Sequence, residues 1–244
     1  NNFSFKADDI LDKITHSTSL IIINSPGNPT GGVVSQQEVD SLVKGLEDFP
    51  NVFVLSDEIY SRITYGSAKH YSLLQYPSIR NRLILLDGWS KTYAMTGWRI
   101  GYSVWPKKLI ETVTRLSINN HSCVNAMTQF AALEALNGPQ DSVDHMIKSF
   151  EERRKIIVEA LSSIKEFKCS NPEGAFYVMP DISATGKKSK DLQDNLLENV
   201  GVATISGTSF GDFGEGFLRF SYATSKENIL EAVNRIKQYL DSVI

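Results

Sequence analysis

Short continuous apolar runs, each closed by polar or turn-forming residues, set the rhythm of the first hundred positions. Residues 20–23 end at Asn24-Ser25-Pro26-Gly27, residues 52–55 at Ser56-Asp57, and residues 83–86 at Asp87-Gly88. Runs of this kind, without polar alternation, predict strands buried on both faces, as in a parallel sheet. Between the first two, residues 35–46 carry helical spacing, and Ser35 with Glu38 reads as a capping box. Residues 99–105 predict a fourth strand.

From Lys107 the pattern turns helical. Residues 124–136 read as a helix stopped by Asn137-Gly138-Pro139. Residues 141–164 form a long amphipathic stretch with Val143, Met146, Ile147, Phe150, Ile157 and Leu161 on its apolar positions. Residues 174–179 and 217–222 then predict strands, and 225–243 a closing helix. Strands alternating with helices define an α/β fold, here a mostly parallel sheet over residues 1–140 followed by a smaller α+β domain over 141–244. Ligands of open α/β sheets sit beyond the carboxyl ends of the strands. Asn28, Asp57 and Lys91 all fall just past such ends.

Composition narrows the class without naming it. The 244 residues are 41% hydrophobic and 22% charged, with a net charge of -3. Nothing in that balance points to nucleic acid or a membrane surface. No apolar run approaches the roughly 18–20 residues that span a bilayer. Lys187, Lys188 and Lys190 read as a solvated loop, and His16, His70, His121 and His145 as surface or helix residues without metal-ligand spacing. Cys123 and Cys169 are far apart, which suits a reduced cytoplasmic setting. The chain opens at Asn1 in what reads as the middle of a fold, so a fragment is expected.

The candidate chemistry lies in four separated segments. Asp87-Gly88-Trp89-Ser90-Lys91 places a lysine after an apolar strand, with Arg99 eight positions on, between Gly97 and Gly101. A lysine amine can form an imine with an aldehyde, and an arginine can grip a phosphate. Pyridoxal 5'-phosphate (PLP) is both. Asp57 would suit the pyridine nitrogen of such a ring, keeping it protonated as an electron sink. Asp57 could equally cap a helix, and Tyr60, one turn on if the segment is helical, could simply pack in the core. Asn28 sits in the Pro/Gly-rich stretch from Asn24 to Gly31, which any tight turn would resemble. Arg219 interrupts an apolar strand, which asks for an anion: either a structural carboxylate or that of a substrate.

Taken in order, Asn28-Pro29-Thr30-Gly31, Asp57 with Tyr60, Ser90-Lys91 with Arg99, and Arg219 resemble the class I/II aminotransferases of fold type I. Residues 92–101 (Thr-Tyr-Ala-Met-Thr-Gly-Trp-Arg-Ile-Gly) are similar to the aspartate aminotransferase-like branch. The resemblance implies a three-layer PLP-transferase sheet, incomplete here because the family's N-terminal part is lacking. It implies Lys91 as the residue that joins the cofactor and moves the proton. It assigns Asp57 to the ring nitrogen, Tyr60 and Asn28 to the phenolic oxygen, and Ser90 and Arg99 to the phosphate. Arg219, helped by Asn28, would hold the α-carboxylate. Amino-acid and 2-oxo-acid substrates and a homodimer follow from the same likeness.

Where the family often has a serine three residues before the lysine, this chain has Gly88, which predicts one phosphate hydrogen bond fewer. Two further readings remain open on the residues alone. One is a β-lyase or decarboxylase on the same scaffold, and the other a catalytically silent module that keeps the fold.

Overall fold

The apolar runs become the centre of a four-stranded sheet. In this computed structural model, which describes residues 3–243, the strands are β1 (Leu20–Asn24), β2 (Phe53–Asp57), β3 (Leu83–Gly88) and β4 (Gly101–Val104), in the spatial order β1-β2-β3-β4. The first three are parallel and β4 is antiparallel to β3. The central strands fit the two-faced burial expected of them, with Val54, Leu83, Ile84 and Leu85 all buried. The edge strand β1 departs from it: Ile23 is buried, but Leu20 and Ile22 are exposed. The predicted fourth strand also starts later, because Arg99 takes a left-handed conformation at φ 55° and the chain becomes extended only at Gly101.

The helices of this part are α1 (Ala7–Leu11), α2 (Gln36–Gly45), α3 (Lys107–His121) and α4 (Ala126–Asn137). Ser35 caps α2 by accepting the Glu38 N–H, as the sequence predicts. The reciprocal half of the capping box is diverted: the Glu38 carboxylate accepts the Ala7 N–H at 2.7 Å and so ties the start of α1 to α2. The far end of α2 is closed by Arg82, which donates to the carbonyls of Leu46, Phe49 and Val52. Burial lowers the Arg82 pKa, and the charge of Glu47 works against that shift. Val39, Leu42, Val43 and Leu46 pack with Val54, Leu73, Ile79 and Leu83 as the core on this side of the sheet.

The described residues divide into two compact units: Phe3–Pro26 with Val33–Asp144, and Gly27–Gly32 with residues 145–243. The long helix α5 (Asp141–Ser162) starts in the first and continues in the second. The second unit also holds β5 (Tyr177–Val178), α6 (Ser189–Val200), β6 (Ile205–Ser206), β7 (Leu218–Ser221) and α7 (Lys226–Val243). Its small sheet is antiparallel in the order β5-β7-β6. Leu161, Ile182, Leu192, Leu196, Leu218, Tyr222 and Ile236 are its largest fully buried apolar side chains.

Of the three lysines read as a loop, Lys187 and Lys188 do precede α6, and only Lys190 falls within it. Lys190 lies in its first turn and pairs with Asp194 one turn on. No side chain at Lys188 caps it. The cap comes from a distant carboxylate, Glu215, which accepts from the Ser189 N–H at 2.8 Å and its hydroxyl at 3.0 Å.

Candidate active site

Within the first unit, the candidate residues gather at the carboxyl ends of β1, β2 and β3. Asn24 closes β1, and its Nδ2 donates to the backbone carbonyl of Asp57 at 3.1 Å. Asp57 is paired in register with Leu86 of β3. Its Oδ1 accepts the Ile59 N–H at 3.2 Å, while Oδ2 has no hydrogen-bond donor among the described residues. Burial pushes the Asp57 carboxyl above its usual range, the Ile59 N–H opposes that, and the neighbouring charge of Glu58 adds to it. A cation or N–H donor brought to Oδ2 would relieve both costs.

Residues 58–62 form turns rather than a regular helix, with Ser61 N–H bonded to Glu58 O and Ile63 N–H to Tyr60 O. Tyr60 is therefore placed by those turns, and it is buried. The Lys91 amine lies over its ring, 5.9 Å from the centroid. The loop that presents Lys91 is held by its neighbours. Trp89 donates from Nε1 to the Ala132 carbonyl at 3.0 Å, and its backbone carbonyl accepts from Tyr93 N–H. Thr92, in the same loop, is buried. The Ser90 hydroxyl makes no hydrogen bond with any described residue.

Arg99 is exposed, and its Nη1 donates to the Thr96 carbonyl at 2.9 Å. It borders an open groove of about 910 Å³ together with Trp98, His121, Cys123 and Asn125. At Gly88 the structure gives a physical reason for the departure noted in the sequence. Gly88 faces Gly101 across the β3–β4 pair, and a β-carbon there would lie 2.8 Å from the Gly101 Cα. A serine does not fit that position without moving β4. Asp87, beside it, has its carboxyl raised by burial, partly offset by bonds from the Gly88 N–H and the Tyr102 hydroxyl.

The second unit contains Asn28 and Arg219. The segment Gly27–Gly32 is closed by two turn bonds, Gly27 N–H to Gly32 O and Gly31 N–H to Gly27 O, each 2.9 Å. Its Asn28–Pro29 peptide is cis. Arg219 on β7 donates from Nη1 to the Asn28 side-chain oxygen at 2.9 Å. The guanidinium stands over two rings, 4.7 Å from the Tyr177 centroid and 5.1 Å from that of Phe210. Its Nε is buried and has no partner, and no acidic side chain among the described residues pairs with it. The structural salt bridge weighed for Arg219 is thus absent among the described residues. A cation so placed is complementary to a planar carboxylate from outside the chain.

Sequence reasoning passed over several of these groups. Tyr177 and Phe210 flank the arginine, and the only signal for Phe210 was an aromatic residue in the glycine-rich stretch from Gly207 to Gly216. His70, expected on a surface or helix, lies in a loop with its ring largely buried against Glu58.

A parallel sheet with a lysine, an under-bonded aspartate and a hydroxyl at its carboxyl edge has the donor set that a phosphorylated pyridine aldehyde requires. Comparison with known proteins agrees with that class. The family model described as "Aminotransferase class I and II" matches residues 1–236, and the chain belongs to this family. Its proteins use pyridoxal 5'-phosphate. An aspartate aminotransferase of Pyrococcus horikoshii is 41% identical over 99% of this chain and 61% of its own length. One from a Bacillus species is 39% identical over 98% of this chain and 62% of its own length. Among solved structures, an aromatic aminotransferase from Pyrococcus horikoshii superposes with a TM-score of 0.94 at 34% identity, over 99% of this chain and 65% of that one. The aspartate aminotransferase of Rhizobium meliloti gives 0.92 at 35%, over 98% and 62%. The chain therefore spans a little over three-fifths of the length of these relatives. Among the described residues, no helix is long and apolar enough to cross a membrane.

Proposed function

We propose that this chain supplies the cofactor lysine and the substrate-binding arginine of a PLP-dependent aminotransferase, which moves an amino group between an amino acid and a 2-oxo acid. The observation that carries the reading is Arg219: a cation over two aromatic rings, with Nη1 on Asn28 and Nη2 engaged by no described residue. An α-carboxylate is the ligand common to both substrates, and it would complete that hydrogen-bonding set. Bound PLP supplies the electron sink for breaking bonds at the substrate α-carbon.

The remaining roles belong to the chain's own side chains. Lys91 holds the cofactor covalently and carries the proton to and from the substrate carbon. Asp57 offers its open Oδ2 to the ring nitrogen, and the raised pKa of its carboxyl falls once a cation stands beside it. Tyr60 and Asn28 serve the phenolic oxygen, and Ser90 and Arg99 the phosphate. Gly88 contributes no side chain to that phosphate, so Ser90 and Arg99 carry more of its binding. Residues 1–140 make up the cofactor domain and 141–244 the smaller domain. The active form is a cytoplasmic homodimer.

The test is chemical. The protein is mixed with PLP, reduced with borohydride and digested, and the peptides are weighed. The reading requires the cofactor mass on the peptide containing Lys91, and its loss in Lys91→Ala. Labelling spread over surface lysines, unchanged in Lys91→Ala, would refute it. Amino-group transfer that depends on an added 2-oxo acid separates this reaction from a lyase.

A further inference from the structure

Next to the cofactor residues lies a buried polar cluster that the reading above does not use. Ser56 and Glu58, on either side of Asp57, are each 4% exposed. The Ser56 hydroxyl donates to Glu58 Oε1 at 2.9 Å, and the Leu73 N–H donates to the same oxygen at 3.1 Å. His70 Nε2 lies 2.8 Å from the other oxygen, Oε2. Burial pushes the Glu58 carboxyl up, but the bonds from His70, Ser72 and Ser56 outweigh it and hold the group below its usual range. A buried carboxylate with both oxygens engaged is a fixed point in the fold.

Asp57 stands between two residues anchored to that point. Its backbone is secured on both sides as well: Asn24 donates to its carbonyl at 3.1 Å, and the Glu58 N–H donates to Leu86 O at 2.8 Å. Its carboxylate, by contrast, receives only the Ile59 N–H among the described residues. The direction of that carboxylate is therefore set through the backbone of its neighbours. An acid that must meet one atom of a bound ring tolerates errors of well under about 1 Å.

We propose that the buried Glu58–His70 pair is a positioning element that aims the Asp57 carboxylate at the cofactor's ring nitrogen. This inference rests on the cofactor reading above. Ser56 and the 70–73 loop transmit the constraint, and neither Glu58 nor His70 touches the ligand in this role.

The test measures dissociation constants on the full chain for PLP and for its 1-deaza analogue, in which a C–H replaces the ring nitrogen. It compares the unaltered protein with Glu58→Gln and His70→Phe, each also in an Asp57→Asn background. Each single change is expected to weaken PLP binding about tenfold, the size of one degraded charge-assisted hydrogen bond. Affinity for the deaza analogue should not move, and the Asp57→Asn background should show no further loss. Glu58→Gln keeps the size of the side chain and the acceptor for Ser56 and Leu73, so it remains informative if circular dichroism finds His70→Phe unfolded. Equal losses on both ligands, or undiminished PLP affinity in Glu58→Gln, overturn the proposal while leaving the cofactor reading intact. Absence of PLP binding by the unaltered protein overturns that reading and this one with it.

Discussion

Arg219 and Asn28 are joined by a 2.9 Å hydrogen bond although 191 positions separate them in the sequence. The bond fixes one Nη of the guanidinium, and the rings of Tyr177 and Phe210 hold its plane. What remains open to an incoming carboxylate is Nη2, which no described residue engages, while Nε is buried beside it. Arg219→Lys keeps the charge and loses the planar fork. It is expected to lower kcat/KM for the amino acid by about 10–100-fold, the equivalent of roughly 1.5–3 kcal/mol for a lost charge-assisted bond. Steady-state kinetics of the two proteins would check this, with the PLP dissociation constant unchanged.

Gly88 and Gly101 set the distance between β3 and β4. A Gly88→Ser substitution restores the family's more usual residue, but its β-carbon would press on the Gly101 Cα. Overpacking of this kind costs about 1–3 kcal/mol. Thermal melting of Gly88→Ser should show the loss, and a gain in PLP affinity should be absent.

Gly31 is a second position where a side chain has no room. It sits at φ +70°, and a β-carbon would approach Pro172 Cβ to 2.5 Å and Tyr177 O to 2.8 Å. Its carbonyl also accepts from both Glu173 N–H and Gly174 N–H. Gly31→Ala combines the left-handed penalty with backbone displacement, so its cost should exceed about 1–2 kcal/mol. Denaturant unfolding would measure it.

The carboxyls of Asp57 and Glu58 predict opposite pH behaviour. Burial raises Asp57 from 3.8, so the folded protein binds that proton more tightly than the unfolded chain does. Its favourable contribution is present below 3.8 and is lost as pH rises through the raised value. Asp57→Asn should therefore raise the melting temperature of the ligand-free protein near about pH 7, change it little near about pH 3, and weaken PLP binding. Glu58 is held below 4.5, so its contribution is present above 4.5 and fades as pH falls through the lowered value. Glu58→Gln should be destabilising at neutral pH and less so in acid. Melting curves across this range test both signs.

Ser35→Ala removes the cap of α2 and should cost about 1 kcal/mol. Glu38→Ala removes the acceptor of the Ala7 N–H, and its effect should concentrate in α1. Hydrogen exchange at residues 7–11 would separate the two: faster exchange confined to that segment is expected for Glu38→Ala alone.

Much of this protein could be read from its residues because the relevant physics is local. Strands covered on both faces need continuous apolar runs, which is why β2 and β3 are visible in the sequence as runs of Val, Phe, Ile and Leu. The start of α2 was visible in Ser35, since a cap and the N–H it satisfies lie three residues apart. Asn28, Asp57, Lys91 and Arg219, in that order, pointed to the cofactor class through their resemblance to a known family. Helix α6 was hidden because its cap, Glu215, lies 26 positions from Ser189 and no nearby side chain announces the helix. The left-handed turn at Arg99, the missing β-carbon at Gly88 and the burial of His70 against Glu58 were equally hidden. Each depends on which groups the fold brings within a few ångströms, and both steric exclusion and the energy of a buried charge are settled by those distances rather than by position along the chain.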